Sequence, residues 1–280
     1  MTDCESLIGE RQKVFLIPFY MRKFILIISF VSVSLIVSAQ EHPDSVSTTV
    51  GYVTSIQSEH LEQSRTLYVH LPEEYDPGKS YPLVILLDGE ATFRAFASVT
   101  ALMGWQGLIP GCIVVGIPNI NREMDYAPFI EGVPGSGNAS KMLSFYRDEL
   151  LPFLERQFRI GEKILYGHSW VGFFTTYVML KEPELFDAYI ATSPMFRFFD
   201  QVFEPSGLFG QLEGRPVSFY SSLGGEETMS RELEKFIQLL GTEAPESLQW
   251  KFTVNEGKNH DSNAITGYMD GLEFTFSGTK

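Results

Sequence analysis

Short apolar runs recur along the chain from residue 50 onward, and their pattern changes after the first two. Residues 50–57 (VGYVTSIQ) and 65–71 (RTLYVHL) alternate apolar and polar positions, as antiparallel strands with one solvated face do. Residues 81–89, 112–117 and 163–169 are more continuously apolar. Parallel strands that are buried on both faces have this second pattern.

Amphipathic segments separate these runs and predict helices. In residues 140–158, Leu143, Tyr146, Leu150 and Leu154 fall on one face at helical spacing. The further predicted helices are residues 91–103, 170–181, 230–240 and 263–275, and the further predicted strands are residues 188–193, 217–223 and 248–254. Two antiparallel strands followed by repeated β-α units predict a single α/β domain over residues 40–280, with a mostly parallel central sheet and helices on both faces.

Two stretches lack this periodicity. Residues 121–138 are rich in glycine and proline, and residues 194–210 contain five phenylalanines. Both follow predicted strands at their carboxyl ends, where an open α/β sheet has its binding crevice. They are either lining of a substrate pocket or a surface loop with a satellite core. The candidate pocket residues are Asp125, Met195, Phe196 and Phe198.

The N-terminal region resembles a secretory signal. Residues 21–39 (MRKFILIISFVSVSLIVSA) have a basic start, an apolar run and a small-residue exit. The run is short for a membrane span. Because Met21 directly precedes it, we expect residues 1–20 to be a non-native upstream extension. Cleavage after Ala39 would leave an exported chain, periplasmic or secreted, starting at Gln40 and without stable membrane insertion. An uncleaved membrane anchor is the alternative.

Charge and cysteine content exclude several classes of function. The chain carries a formal net charge of −14 at pH 7, which argues against nucleic acid or an anionic membrane as partner. Of its two cysteines, Cys4 would leave with the signal peptide and Cys112 lies in an apolar run. An intramolecular disulfide and a thiolate zinc site are then excluded, and we expect Cys112 to be a small core residue.

A candidate nucleophile lies in LYGHSWVGFF, residues 165–174. Ser169 follows a predicted buried strand and precedes a predicted helix, as the serine of a G-x-S-x-G nucleophile elbow does. The motif departs at its last position, where Val171 replaces glycine and Gly172 follows one residue later. A serine at a strand-helix junction is more often only a helix cap, so the assignment requires a base and an acid.

His260 is the candidate general base, by elimination among five histidines. It follows the last predicted strand, and the order serine, acid, histidine is that of α/β hydrolases. His168 adjoins the serine and is expected to point the other way along the turn. The remaining histidines lie near the N-terminus or in the first strands, and these are His42, His60 and His70.

The acid and the oxyanion donors are expected at two further strand ends. Glu226 and Glu227 follow the strand 217–223; Glu226 is preferred, with the choice between the two nearly even. A carboxylate there would accept the Nδ1 proton of the base. The backbone N–H groups of Trp170 and Glu90 are the candidate oxyanion donors, with Gly89 allowing the bend.

Several ordered blocks resemble the putative esterase family of α/β hydrolases, which includes esterase D, enterochelin-type siderophore esterases, feruloyl esterases and mycolyltransferases. The blocks are RTLYVHLPEEYDPGKSYPLVILLDGE, IVVGIPNINREMD, DELLPFLERQFRI with LYGHS, ELFDAYIATSP and NHDSNAITGYMDGLEFTF. The resemblance implies Ser169 as nucleophile and His260 as base. It implies Glu226 less firmly, because some members take the acid from elsewhere.

The resemblance implies an exported serine esterase that forms an acyl-enzyme and needs neither a metal nor a cofactor. Its substrate would be a small-molecule or glycan ester, such as an acyl or aryl ester of carbohydrate or a siderophore ester. Family members usually have glycine at position 171, and the bulk of Val171 is expected to push the helix outward or tilt the turn. A catalytically silent binding protein and an acyltransferase are the alternatives. The oligomeric state is not readable from the sequence.

Overall fold

One eight-stranded sheet organises the part of the chain that the computed structural model describes, residues 46–277. All of its strands lie within the compact unit Thr49–Lys280. They are β1 Tyr52–Ser58, β2 Gln63–His70, β3 Tyr81–Leu86, β4 Ile113–Gly116, β5 Ile160–His168, β6 Ala188–Thr192, β7 Val217–Gly224 and β8 Leu248–Asn255. Each coincides with one of the apolar runs, so all eight predicted strands are confirmed. The predicted upstream extension and signal peptide lie outside the described residues.

The helices alternate with these strands. They are α1 Gly89–Trp105, α2 Arg122–Asp125, α3 Ala139–Ser144, α4 Leu151–Gln157, α5 Trp170–Lys181, α6 Phe199–Val202, α7 Arg231–Glu243 and α8 His260–Phe276. A π-helical segment, Phe145–Leu150, joins α3 to α4, so the single helix predicted over 140–158 has three parts. Pro152 lacks an N–H for the carbonyl of Asp148, and the turn before it has the wider π spacing. The two stretches without periodicity contain the four-residue helices α2 and α6.

The strand order β1-β2-β4-β3-β5-β6-β7-β8 places the candidate site. β1 and β2 pair antiparallel, β2 pairs antiparallel with β4, and every other neighbouring pair is parallel. The chain steps from β3 to β4 in one direction and returns to β5 on the other side of β3. Ligands of open α/β sheets bind at such a reversal, outside the carboxyl ends of the strands. Here α1 begins after β3 and α5 begins after β5.

Two apolar layers cover the sheet. Along β3, Leu83 and Ile85 face one layer, and Val84 and Leu86 face the other, because successive side chains of a strand point to opposite faces. α1 and α8 pack on the Val84 side. α3 to α5 and α7 pack on the opposite side. The predicted fold, a mostly parallel sheet with helices on both faces, is confirmed.

Two local expectations concern the core and the helices. Cys112 is buried beside the start of β4 as a free thiol, and burial raises its pKa to about 12, so its placement as a small core residue is confirmed. Within residues 46–277, no helix combines the length and the apolar character needed to cross a bilayer.

Candidate active site

Ser169 occupies a sharp turn between β5 and α5. Its backbone has φ 60° and ψ −119°, a conformation that residues other than glycine rarely adopt. The side chain makes no capping hydrogen bond to α5. Its Oγ instead lies 2.9 Å from Nε2 of His260. The hydroxyl is therefore directed at an imidazole, which is the geometry of a nucleophile elbow rather than of a helix cap.

Two glycines allow the close approach of strand and helix at this elbow. A Cβ on Gly167 would lie 2.3 Å from the carbonyl oxygen of Val171, which no side chain tolerates. A Cβ on Gly172 would lie 3.2 Å from the carbonyl oxygens of both Gly167 and Thr192. The side chain of Val171 is fully buried in the core. The hydrogen bond between Ser169 and His260 is present in the same structure. Val171 thus coexists with a hydrogen bond of 2.9 Å between Ser169 Oγ and His260 Nε2.

Substituting Val171 with glycine is expected to destabilise the protein by about 3 kcal/mol, because a buried side chain is lost and backbone freedom is gained. It is not expected to raise kcat, since the valine does not disturb the serine. Urea unfolding followed by circular dichroism measures the first effect, and ester hydrolysis measures the second. Val171→Ala separates the two causes, because it opens most of the cavity without adding a glycine. A gain in kcat of tenfold or more would contradict this interpretation.

His260 is the first residue of α8 and lies directly after the loop that follows β8. A capping box fixes this helix start: Asn259 Oδ1 accepts from the N–H of Ser262 at 2.9 Å, and Ser262 Oγ accepts from the N–H of Asn259 at 3.0 Å. The imidazole then reaches Ser169 through Nε2 and a carboxylate through Nδ1. The structure therefore places His260 where the sequence predicted the base.

The carboxylate beside His260 belongs to Glu227, and the preference for Glu226 is corrected. Glu227 Oε2 lies 2.7 Å from His260 Nδ1. After β7 the chain makes a turn in which the N–H of Glu227 donates to the carbonyl of Gly224 at 2.9 Å. This turn brings the fourth residue back over the sheet edge, while Glu226 in its middle is exposed to solvent. The choice depends on the turn, which residue type and spacing do not reveal.

Buried donors hold the second oxygen of Glu227. Its Oε1 accepts from Ser193 Oγ at 2.5 Å and from the N–H of Gly224 at 2.6 Å. Asn263 Nδ2 in turn donates to Ser193 Oγ at 2.9 Å. Burial raises the pKa of Glu227, but these bonds and the one to His260 outweigh it, so that the pKa lies below its ordinary value. Glu227 is therefore ionised at neutral pH.

Ser193 and Asn263 were not predicted from the sequence. Ser193 follows β6 directly and has a φ of 43°, in the left-handed region. Asn263 comes three residues after His260, on the same face of α8, and is fully buried. The spacing of the histidine and the asparagine was the available signal, whereas nothing in the sequence indicates the contact between Ser193 and Glu227.

His168 lies beside His260, the candidate base, and the expectation that it points the other way is wrong. The ring centroids of His168 and His260 are 4.7 Å apart, and His168 Nδ1 lies 3.1 Å from Thr192 Oγ1. Burial, followed by the proximity of His260, lowers the pKa of His168 from 6.5 to about 4. His168 is therefore uncharged at neutral pH.

His168 is expected to make the protein less stable in acid. Its pKa is lower in the folded state than in the unfolded state, so the unfolded chain binds a proton first as the pH falls from about 6.5 to 4. The expected loss over this window is up to about 3 kcal/mol. His168→Asn, which keeps a polar atom near Thr192, should remove this loss of stability. Urea unfolding at several pH values measures the free energy of unfolding of both proteins. The contribution of Glu227 is lost only at lower pH, since its own pKa is depressed. An identical pH dependence in the wild type and the variant would contradict the prediction.

The candidate oxyanion donors, Glu90 and Trp170, lie in the first turns of α1 and α5. Backbone N–H groups there have no acceptor within their helix. The strands that precede these helices, β3 and β5, are paired, so the two turns are neighbours. The N–H of Gly89 is already donated to the carbonyl of Ile117 at 2.9 Å. The bend itself is made by Asp88, at φ 54°, rather than by Gly89.

A cavity of about 230 Å³ adjoins the elbow, and two of the four predicted pocket residues line it. Met195 and Phe198 line it, together with Trp170 and two residues that the sequence did not indicate, Arg122 and Arg197.

The other two predicted pocket residues lie elsewhere. Phe196 is buried in the core against Phe236, at a ring distance of 4.9 Å. Asp125 is buried in an ion pair with Arg65, at 2.6 Å between Oδ2 and Nη2. Asp125 ends the four-residue helix α2 and Phe196 lies in an irregular segment. Neither place has a sequence periodicity, so only the tertiary contacts decide which side chains turn inward.

Fold and elbow together define an α/β hydrolase. The profile of the family described as "Putative esterase" matches residues 58–267, and the chain belongs to this family.

Individual relatives agree with this assignment. The chain is 26% identical over 166 residues to ferri-bacillibactin esterase BesA of Bacillus subtilis (strain 168), covering 51% of this chain and 57% of the relative. The chain spans about half the length of the curated relatives that it matches. Among solved structures, an IroE-like serine hydrolase from Shewanella oneidensis superposes with a TM-score of 0.70 at 27% identity, covering 80% of this chain and 79% of the other. The BES protein from Bacillus cereus has the same fold, with a TM-score of 0.74 at 22% identity, covering 83% and 97%.

Proposed function

We propose that this protein hydrolyses carboxylic esters with Ser169 as nucleophile, His260 as general base and Glu227 as the acid that orients the base. The observation that supports this most directly is the row of hydrogen bonds from Ser169 Oγ to His260 Nε2, at 2.9 Å, and from His260 Nδ1 to Glu227 Oε2, at 2.7 Å. Family membership supports the same reaction class.

The reaction would proceed in two halves. As Ser169 Oγ attacks the ester carbonyl, its proton passes to His260 Nε2, and Glu227 stabilises the imidazolium through Nδ1. The N–H groups of Glu90 and Trp170 would bind the developing oxyanion. His260 then returns the proton to the departing alcohol, which leaves an acyl-enzyme on Ser169. Water, deprotonated by His260, attacks the acyl carbonyl; as the bond to Ser169 Oγ breaks, His260 returns the proton to Ser169 Oγ and the carboxylic acid is released.

The cavity beside Trp170 favours an aromatic ester that carries negative charge or acidic hydroxyl groups. Trp170, Met195 and Phe198 supply apolar surface, and the guanidinium of Arg197 lies 4.5 Å from the centroid of the Phe198 ring. Arg197 forms no ion pair with any residue in 46–277, although the chain is strongly acidic. An unpaired cation at an aromatic wall suits a phenolate or carboxylate. Since the curated relatives include siderophore esterases, we propose aryl or siderophore esters as the substrate class.

Fluorophosphonate labelling combined with hydrolysis of three esters tests the proposal. We expect covalent labelling, and faster turnover of a catecholate siderophore ester or a feruloyl ester than of p-nitrophenyl acetate. A protein that is not labelled and turns over none of these esters but binds the catecholate would contradict the esterase assignment. It would favour the alternative of a catalytically silent binding protein. Ester exchange into an added alcohol in preference to water would instead favour acyl transfer.

We also propose that the chain is exported, on the basis of the signal pattern in residues 21–39. Expression of the full chain with a C-terminal tag, followed by mass spectrometry of the N-terminus, tests this. A mature N-terminus at Gln40 in the periplasmic or culture fraction supports export. A chain that keeps residues 21–39 and pellets with membranes would support an anchor instead.

A further inference from the structure

We propose that Arg122 is a positioning residue that ties the oxyanion turn, Asp88–Glu90, to the turn of the nucleophile. The inference rests on the proposed esterase function. It assigns a role to a residue that is not one of the three hydrogen-bonded residues Ser169, His260 and Glu227.

The guanidinium of Arg122 contacts both turns. Its Nε lies 2.8 Å from Asp88 Oδ1 and its Nη2 lies 2.8 Å from Asp88 Oδ2, which is a bidentate pairing of a planar fork with a carboxylate. The same Nη2 lies 3.4 Å from the carbonyl oxygen of His168, the residue before the nucleophile. One side chain therefore connects the residue before Gly89 and Glu90 with the residue before Ser169.

The Asp88 carboxylate binds Arg122 and does not cap α1. An aspartate that precedes a helix commonly caps it by accepting from a first-turn N–H. The Asp88 side chain makes no such bond to α1, and its backbone is in the left-handed region at φ 54° and ψ 44°. Its carboxylate is instead held by Arg122 and by Asn119 Nδ2, at 2.6 Å from Oδ1. The side-chain contacts thus hold a backbone conformation that an aspartate seldom adopts, directly beside the candidate donor Glu90.

Asn119 extends the same arrangement to Glu90. Its N–H donates to Glu90 Oε2 at 3.0 Å, and its Nδ2 donates to Glu90 Oε1 at 2.7 Å. The oxyanion turn is therefore held from the β4–α2 segment at two successive acidic residues, Asp88 and Glu90. The Asp88 side chain is 13% exposed, so solvent screens its pair with Arg122 less than it would a pair on the open surface.

Arg122 also lines the cavity beside Trp170, and a role in binding the substrate is the competing interpretation. The two roles differ in what they change. A residue that holds the oxyanion turn acts on the transition state and changes kcat. A residue that binds an anionic group of the substrate changes KM, and does so only for substrates that carry such a group.

Kinetics of Arg122→Met, Asp88→Asn and the double variant on p-nitrophenyl acetate, which has no anionic group, separate the two roles. We expect kcat to fall about 10²-fold in each single variant, as for an oxyanion donor misplaced by about 1 Å, with KM changed less than threefold. The double variant should be no slower than the slower single variant, because both substitutions break one contact. Free guanidinium should restore part of the activity of Arg122→Met.

Controls separate this inference from folding and from the proposed function. Arg94→Met, at an exposed arginine one turn after Glu90 on α1, should keep wild-type kinetics. Arg122→Lys keeps the positive charge but loses the bidentate guanidinium, so its kcat should also be low. This variant replaces Arg122→Met in the test if Arg122→Met does not fold. Activity that survives in Ser169→Ala would reject the proposed function itself. With that function intact, a rise in KM at unchanged kcat, or additive losses in the double variant, would overturn the positioning role of Arg122.

Discussion

Replacement of Ser169 by alanine is expected to abolish ester hydrolysis and fluorophosphonate labelling while leaving the fold intact. Removing the nucleophile of a serine hydrolase lowers kcat by up to about 10⁶-fold, and the residual rate comes from the oxyanion donors and from binding. Ser169 Oγ contacts His260 and does not cap α5, so its loss removes chemistry without removing a hydrogen bond of the scaffold. Stopped assays on a siderophore or feruloyl ester, together with a labelling gel, measure both effects.

Ser98→Ala is the matched control for this experiment. Ser98 is exposed on α1, and its Oγ donates to the carbonyl of Arg94 within the same helix. Kinetics and labelling of Ser98→Ala should equal those of the wild type. Labelling that persists in Ser169→Ala would show that another residue reacts with the probe, and the assignment of the nucleophile would then be rejected.

Substitution of Glu227 by glutamine is expected to lower kcat by about 10⁴-fold, with KM nearly unchanged. A carboxylate partner keeps the imidazole in the tautomer that has a free Nε2 facing the serine, whereas an amide can impose the other tautomer. The two oxygens of Glu227 bind His260 on one side, and Ser193 with Gly224 on the other. Glutamine can present only one oxygen to these donors, and its NH₂ group must face the other set.

Glu226→Gln is the control that makes this prediction decisive. The two glutamates are adjacent and both follow β7, but Glu226 is exposed and only its backbone N–H has a partner near the site, the carbonyl of Lys258. Glu226→Gln should change kcat by less than twofold. The reverse outcome, a large loss in Glu226→Gln and a small one in Glu227→Gln, would restore the choice made from the sequence. In either case a double variant with Ser169→Ala should be no slower than Ser169→Ala alone.

The sequence determined the fold because the fold depends on pattern. Alternating runs such as 50–57 predict strands with one solvated face, continuous apolar runs such as 81–89 and 163–169 predict strands buried on both faces, and the eight strands lie at these runs. The same reasoning located Ser169 and His260, since each stands at the junction of a strand and a helix. Chain order and elimination were enough there, because β5 and β8 run parallel in one sheet, so the segments that follow them lie at the same edge of the sheet.

Tertiary structure alone decided everything that depends on side-chain direction within an irregular segment. The turn after β7 brings Glu227 rather than Glu226 to His260, and at the very end of β5 a ring contact places His168 beside the same candidate base. In the two stretches without periodicity, Arg122 and Arg197 face the cavity, while Asp125 and Phe196 turn into the interior. Arg122 and Asp125 belong to α2, which at four residues is too short to show a periodic pattern. Periodicity predicts the direction of a side chain only inside a regular helix or strand. In a turn, a change of one backbone dihedral redirects the side chain, and that dihedral is set by contacts between residues far apart in the sequence.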